Sequence, residues 1–442
     1  MGRRADVVLG ADVGSTNVKI VALGADGHIV ARARRPTPRR RHDPSIDADE
    51  LLELLEDLIV ETCGDTLAVQ AICAAGVGED GVLVDAAGRP TAPALAWFDP
   101  RRQHLFQELA PDLAPADGLG TATDPARTLV GWAWARRASG YDSACTWLAL
   151  TDFASARWSR TGFLSDTLAA RTAAWHIDTR SWVLDRVKAT LGDPELLPEV
   201  VPAGTVVGPL HSARLAAAGV LRPDAVVVAG GHDHPIGGWG VEQLHPHAIL
   251  DSMGTAEVVV AQAQTPPPLA ADVDTAPGIA GGGATVLRVE ELARNVDWAC
   301  QDPDVAAAIS GLISGVIEPD RHLASRTFRP GAAGGARPFY TPDAPADPLS
   351  RASAVLGALA SLGGEAVDQV AAAAPPNAEV FAAGGWARSF GWLAIKHAVT
   401  GRSAAVVTEP ETTAAGAALL AARAIGRQVD PAATLVPASG RA

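Results

Sequence analysis

The chain has 442 residues, 48% hydrophobic and 19% charged, a globular composition too long for one core and expected to form two domains of roughly 200 residues each. Its net charge of −14 disfavours a basic nucleic-acid face, so an anionic ligand would need local cations or Mg²⁺ to be held. Four cysteines (Cys63, Cys73, Cys145, Cys300) lack CxxC or other metal spacing, and no run of 18 apolar residues occurs, so a reduced, cytoplasmic protein without a membrane partner is expected.

The stretch from Val7 to Val30 reads as strand, turn, strand, turn. Its first turn concentrates Asp12, Gly14, Ser15, Thr16 and Lys19. Glycine admits backbone N–H groups close to an anion, hydroxyls donate to phosphate oxygens, and a carboxylate can hold hydrated Mg²⁺. The same residue types also dominate ordinary turns. Lys19 is one of only three lysines in an arginine-rich chain, and a compact ammonium serves phosphate as a point charge. The basic run Arg34-Arg35 to Arg39-Arg40-Arg41 reads as a solvated loop.

Asp47 to Val60 predicts a helix with Asp47 as N-cap and a broad leucine face. Leu67 to Val77 predicts a buried strand ending in Gly78-Glu79-Asp80-Gly81, either an acidic turn or a site for polyol hydroxyls. Ala94 to Asp99 predicts a strand ending in Trp97, Phe98 and Asp99; rings and a carboxylate suit the C–H face and hydroxyls of a sugar. A tryptophan-rich helix is expected over Arg127–Arg137, mixed turns and short elements over Thr151–Thr172, a helix over Arg180–Leu191, and strands at Val206–Leu210 and Ala225–Gly231.

The last of these runs into Gly230-Gly231-His232-Asp233-His234. If the tip is extended, the two histidines point away from the face carrying Asp233. A His-x-His pair can ligate a metal, yet nothing else with metal spacing accompanies it. Asp251 to Glu257 repeats the strand, glycine–hydroxyl turn, strand design around Gly254 and Thr255, and hints at an internal duplication. Val380 to Ser389 is a strand, a glycine turn at Gly384-Gly385, then a helix, the arrangement that presents a helix N-terminus to an anion or nucleotide.

Asp12-x-Gly14-Ser15-Thr16-x-x-Lys19, Gly231-His232-Asp233, Gly254-Thr255 and Gly384-Gly385-x-x-Arg388-Ser389, in this order, resemble the motifs of the FGGY carbohydrate kinases from Val7 to about Gly426. The resemblance implies an α/β fold of two ribonuclease H-like (actin-like ATPase) domains, residues 1–243 and 244–442, with a cleft between them. It implies ATP and Mg²⁺ as cofactors, Asp233 as general base, and Asp12 and Asp233 as metal ligands. Asp12, Gly14, Ser15, Thr16 and Lys19 would serve the phosphates, joined by Gly254 and Thr255; Gly384, Gly385, Arg388 and Ser389 would border the adenosine. Glu79, Asp80, Trp97, Asp99 and His232 would meet the sugar or polyol, such as a ketopentose in a xylulokinase-like enzyme, and a homodimer is open. Gly78-Glu79-Asp80-Gly81 stands where many members carry a Gln-x-His pair, and the C-terminal domain looks shortened. The alternative function is a non-catalytic nucleotide- or sugar-binding sensor of the same fold.

Overall fold

The computed structural model describes residues 4–39, 43–138, 144–265, 273–332, 337–375 and 378–436. These fall into two compact units. The first comprises the described residues within Met1–Gly240, Gln264–Thr285 and Thr413–Ala442, and the second those within Val241–Ala263 and Val286–Thr412. The chain thus crosses near residue 240 but returns its last two helices to the first unit. Among the described residues, no helix is long and apolar enough to cross a membrane.

The first unit is built on β1 (Ala5–Val13), β2 (Asn17–Leu23), β3 (Ile29–Pro36) and β4 (Leu67–Gly76). β1 and β2 pair antiparallel across the Gly14–Thr16 turn, so β1 runs four residues beyond the expected Val7–Leu9 run. β4 lies parallel beside β1, the strand Leu221–His232 lies parallel beside β4, and Val206–Pro209 closes that edge antiparallel. Helix α1 (Ala48–Cys63) starts where Asp47 accepts the N–H groups of Asp49 and Glu50. It buries Leu51, Leu55, Leu58 and Ile59 in a core shared with Leu9, Ala11 and Ile20, each worth roughly 1.5–3 kcal/mol of transfer free energy. The alanine-rich helix Thr412–Ala424 packs against β1 so closely that a Cβ on Gly10 would lie 1.9 Å from the Ala414 carbonyl oxygen.

The second unit repeats this plan. Ile249–Met253 and Ala256–Ala263 form the antiparallel hairpin, Val380–Ala383 lies parallel beside the first of them, and Ala405–Val406 follows. Ala284–Glu291 flanks the hairpin on its other side. The helix Pro348–Ala371, capped by Asp347, supplies much of the core with Val355, Leu356 and Leu359.

Several local expectations give way. Ala94–Asp99 is no strand; only Ala94 makes a bridge, to Ile46, because Pro93 and Pro100 bracket the segment and cannot donate to a ladder. Thr151–Thr172 contains a buried helix, Leu150–Ser159, whose polar residues look like turn formers but are satisfied by distant partners: Thr151 donates to Val77 O, and Asp152 accepts from Ser165. Arg180–Leu191 yields a helix only over Leu184–Thr190. Arg34 and Arg35 lie on β3 rather than in a loop, Arg39 is bound to neighbouring carbonyls, and Arg40 and Arg41 lie outside the described residues.

Candidate active site

Three parallel strands of the first unit end at one edge. The register aligns Asp12 with Ala75 and Val13 with Gly76 on one side of β4, and Gly231 with Ala75 and His232 with Gly76 on the other. Asp12, the Glu79-Asp80 turn and Asp233 are therefore delivered to the carboxyl end of neighbouring strands, the usual location of ligand sites in such sheets.

Asp12 and Lys19 are cross-strand partners in the hairpin, and Lys19 Nζ donates to Asp12 Oδ2 at 2.8 Å. The turn closes through Gly14 N–H to Asn17 O at 3.1 Å; a Cβ on Gly14 would meet that oxygen at 2.8 Å. Two side chains from elsewhere hold it. Trp97 Nε1 donates to Ser15 Oγ at 2.8 Å and Arg39 Nε to Ser15 O at 3.0 Å, while Thr16 stays exposed. Arg39 also lies over the Phe98 ring, 4.8 Å from its centroid. Arg39 is thus no solvated loop residue: beyond Pro36 the chain returns onto the first turn, where Arg39 is held by the Ser15 and Pro44 carbonyls.

Glu79 accepts from Arg171 Nη2 at 2.6 Å and lies 3.5 Å from Arg127; Arg171 also pairs with Asp274 at 2.6 Å. Burial would raise the Glu79 carboxyl, but the charges of Arg171 and Arg127 outweigh it and hold it below the ordinary range. Asp80 is fully buried, 3.6 Å from Arg102 Nη2; desolvation pushes it up to about 6 against the pull of that guanidinium. Arg102 in turn donates to the carbonyls of Leu95, Ala96, Ala126 and Arg127. Asp99 accepts the Arg101 N–H at 2.9 Å, ahead of the helix Arg101–Leu109, and binds Arg101 Nη2 at 2.7 Å. Burial raises its carboxyl, and the Arg101 hydrogen bonds more than reverse that. The expected carboxylates are thus present, yet each is engaged by an arginine that sequence spacing does not reveal. Trp97 remains 40% exposed, edge-on to Phe98.

At the third strand end the tip is not extended past His232, so the condition for the two histidines to point away from Asp233 is not met. The helix Asp233–Glu242 begins at Asp233, so strand alternation stops there and both imidazoles turn to one carboxylate. His232 Nε2 lies 3.2 Å and His234 Nε2 3.5 Å from Asp233 Oδ1, and His234 N–H donates to the same oxygen at 2.7 Å. Gly231 is required because a Cβ would lie 2.0 Å from Thr167 Oγ1, which accepts the His232 N–H at 3.0 Å. Burial raises the Asp233 carboxyl; His234 opposes this and the charge of Asp12 adds to it. Desolvation, aided by Arg171, keeps His232 neutral well below its ordinary value.

In the second unit, Gly254 and Thr255 form the tight link of the hairpin, Gly254 N–H donating to Ala256 O at 2.9 Å. Ser252 aligns with Ala383, so the Gly384-Gly385 turn emerges at the same edge. Gly384 has φ +89°, and a Cβ there would sit 2.3 Å from Met253 O, whereas nothing lies within 4 Å of the position of a Gly385 Cβ. Thr255 and Arg388 are exposed; Ser389 donates to Ile313 O. Beneath the turn, Lys396 Nζ binds Asp251 Oδ2 at 2.5 Å and also Glu257.

A duplicated sheet with hairpin turns and an acid at its strand ends defines the class of actin-like ATPase folds. Solved structures agree: a xylulose kinase from Rhodospirillum rubrum superposes with a TM-score of 0.83 at 19% identity, covering 97% of this chain and 92% of that one. Glycerol kinase of Plasmodium falciparum with ADP gives 0.82 at 16% identity, covering 96% and 90%. In sequence, xylulose kinase of Streptomyces coelicolor is 28% identical over 439 residues, 94% of this chain and 87% of that protein. L-fuculokinase of Escherichia coli is 26% identical over 324 residues, 67% of each. The N-terminal domain of the FGGY family of carbohydrate kinases matches residues 7–240. The chain belongs to that family and is a carbohydrate kinase.

Proposed function

We propose that this kinase transfers the γ-phosphoryl group of ATP to a hydroxyl of a small ketose or polyol, a ketopentose of the xylulose type first, with Asp233 as general base. The observation that carries the reading is the delivery of Asp12 and Asp233 to one sheet edge on strands either side of β4. Phosphoryl transfer asks for positioning and charge neutralisation more than covalent chemistry. Lys19, the N–H groups of the Gly14–Thr16 turn and the Thr16 hydroxyl are the first unit's candidates for phosphate contact; in the second unit Gly254 and Thr255 are candidates for phosphate, and Gly384, Gly385, Arg388 and Ser389 for the adenosine.

The donor set fits Mg²⁺: Asp12 and Asp233 are hard oxygen ligands, and the charge of Asp12 is among the causes that raise Asp233, a repulsion a dication relieves. When bound, Mg²⁺ neutralises phosphate charge. Asp233 accepts or orients the proton of the attacking hydroxyl, and the two imidazoles on its Oδ1 leave Oδ2 for that contact. Trp97 offers the ring for the C–H face of the sugar. Glu79 and His232 offer polar contacts, while Asp80 and Asp99 act by holding Arg102 and Arg101. ADP release over a panel of ketoses and polyols, with wild type and Asp233→Asn, tests the reading. The expected result is sugar-stimulated turnover that falls by about 10²–10⁴ in the variant with ATP binding retained. Retention of more than about a tenth of the rate would remove the base.

A further inference from the structure

We propose that His232 Nε2, Asp233 Oδ1 and His234 Nε2 form a site for a transition-metal dication of the Zn²⁺ class, distinct in chemistry from a Mg²⁺ site, and that filling it withdraws Asp233 from catalysis. The three ligand atoms all lie within 4.8 Å of one another. A tetrahedral Zn²⁺ with donors at about 2.0–2.1 Å places them about 3.3 Å apart. The two histidine-to-aspartate separations, 3.2 and 3.5 Å, bracket that edge. The rings stand at 80° with centroids 5.1 Å apart, so the two nitrogens approach Asp233 from different directions, as separate corners of a coordination shell do.

The backbone is prepared for this arrangement. Thr167 anchors the His232 N–H, and the helix start at Asp233 sets the two imidazoles on one side of the chain. The charge of Asp12 makes the surroundings more favourable to a dication, and the nearby Arg171 is engaged by Glu79 and Asp274. Two imidazoles and one carboxylate select Zn²⁺, Co²⁺ or Ni²⁺ over Mg²⁺, which prefers oxygen ligands and retains water. The metal and a proton-bridged arrangement compete for the same three atoms. Inhibition rests on Asp233 being the base; binding does not.

Titration of the full chain, without nucleotide, with Co²⁺ reads the site directly. The expected result is the visible d–d absorption of low-coordinate cobalt saturating at about one equivalent per chain, displaced by Zn²⁺ and not by excess Mg²⁺. His234→Gln, at a half-exposed position, and His232→Gln should each weaken Co²⁺ binding by more than the roughly 10–100-fold typical of losing an outer-shell partner. Urea unfolding shows that each variant is folded. No absorption in the wild type, or binding equally strong in a folded His234→Gln chain, overturns the proposal. With Mg-ATP and sugar in excess, Zn²⁺ should abolish turnover, and chelation should restore it. Co²⁺ and Zn²⁺ binding that depends on both histidines while turnover continues would uphold the metal site and remove Asp233 as base.

Discussion

Lys19 reaches across the first unit's hairpin to Asp12 with 27% of its side chain exposed, whereas Lys396 reaches Asp251 and Glu257 of the second unit's hairpin with 11% exposed. The first strand of each hairpin lies between its antiparallel hairpin partner and a parallel strand. In the first, the ammonium pairs with Asp12 beside the Gly14–Thr16 turn, at a part-exposed position. In the second, it is sealed under Trp392 and Met253, and Gly363 makes room for the Glu257 carboxylate, which a Cβ would meet at 2.0 Å. One cation faces two buried carboxylates there; burial first, then the charge of Asp251, pushes Glu257 up to about 8. A duplicated framework has thus placed one lysine–carboxylate pair beside a part-exposed turn, where the phosphate contacts are proposed, and another in a core.

The comparison breaks most easily at Lys396. Lys396→Met leaves two buried carboxylates uncompensated and should cost about 3–5 kcal/mol in urea unfolding. A loss under about 1 kcal/mol would show that water reaches the triad and that the two hairpins do not differ in kind. Lys19→Met should do the reverse, changing stability by less than about 1 kcal/mol while lowering turnover about 10²–10³-fold, the cost of losing one donor to developing charge. Turnover near wild type would take Lys19 out of the phosphate contacts.

A third measurement sharpens the contrast through ligand binding. Mg-ATP at a hundredfold excess over its dissociation constant adds about 2.7 kcal/mol of stability, and Asp12→Asn should remove most of that gain in thermal unfolding. An equal gain in both chains would move the nucleotide away from the first hairpin. A further effect is a pH slope. The folded pKa of Glu257 lies above its unfolded value, so the native state holds the proton more tightly and stability falls as pH rises from about 4.5 towards about 8. Lys396, raised in the fold, keeps its contribution throughout that window. Glu257→Gln should flatten the decline between pH 5 and pH 8, and an unchanged slope in the variant would assign the decline to other buried acids such as Asp152.

Much of the site was legible because its parts are local. Asp12, Gly14 and Lys19 belong to one hairpin, and the turn chemistry that shapes it is written within eight residues. Glu79 and Asp80 were found for the same reason, as acids beside glycines at a strand end. Their partners were not: Arg171 lies 92 residues from Glu79, and Asp274 lies 103 from Arg171. An arginine on an otherwise ordinary segment carries no mark of the carboxylate it will meet.

The alternation of hairpins, the Asp47-capped helix, the glycine turns and, through four ordered motifs, the carbohydrate kinase family are readable in the chain, since all of these are properties of short windows and their order. Folding alone ties Asp80 and Asp99 to arginines, braces Ser15 with Arg39, and turns His232 and His234 onto Asp233. Those outcomes depend on where a strand stops and a helix begins, and on which distant side chains then share a buried volume. There the desolvation of an unpaired charge outweighs any local preference.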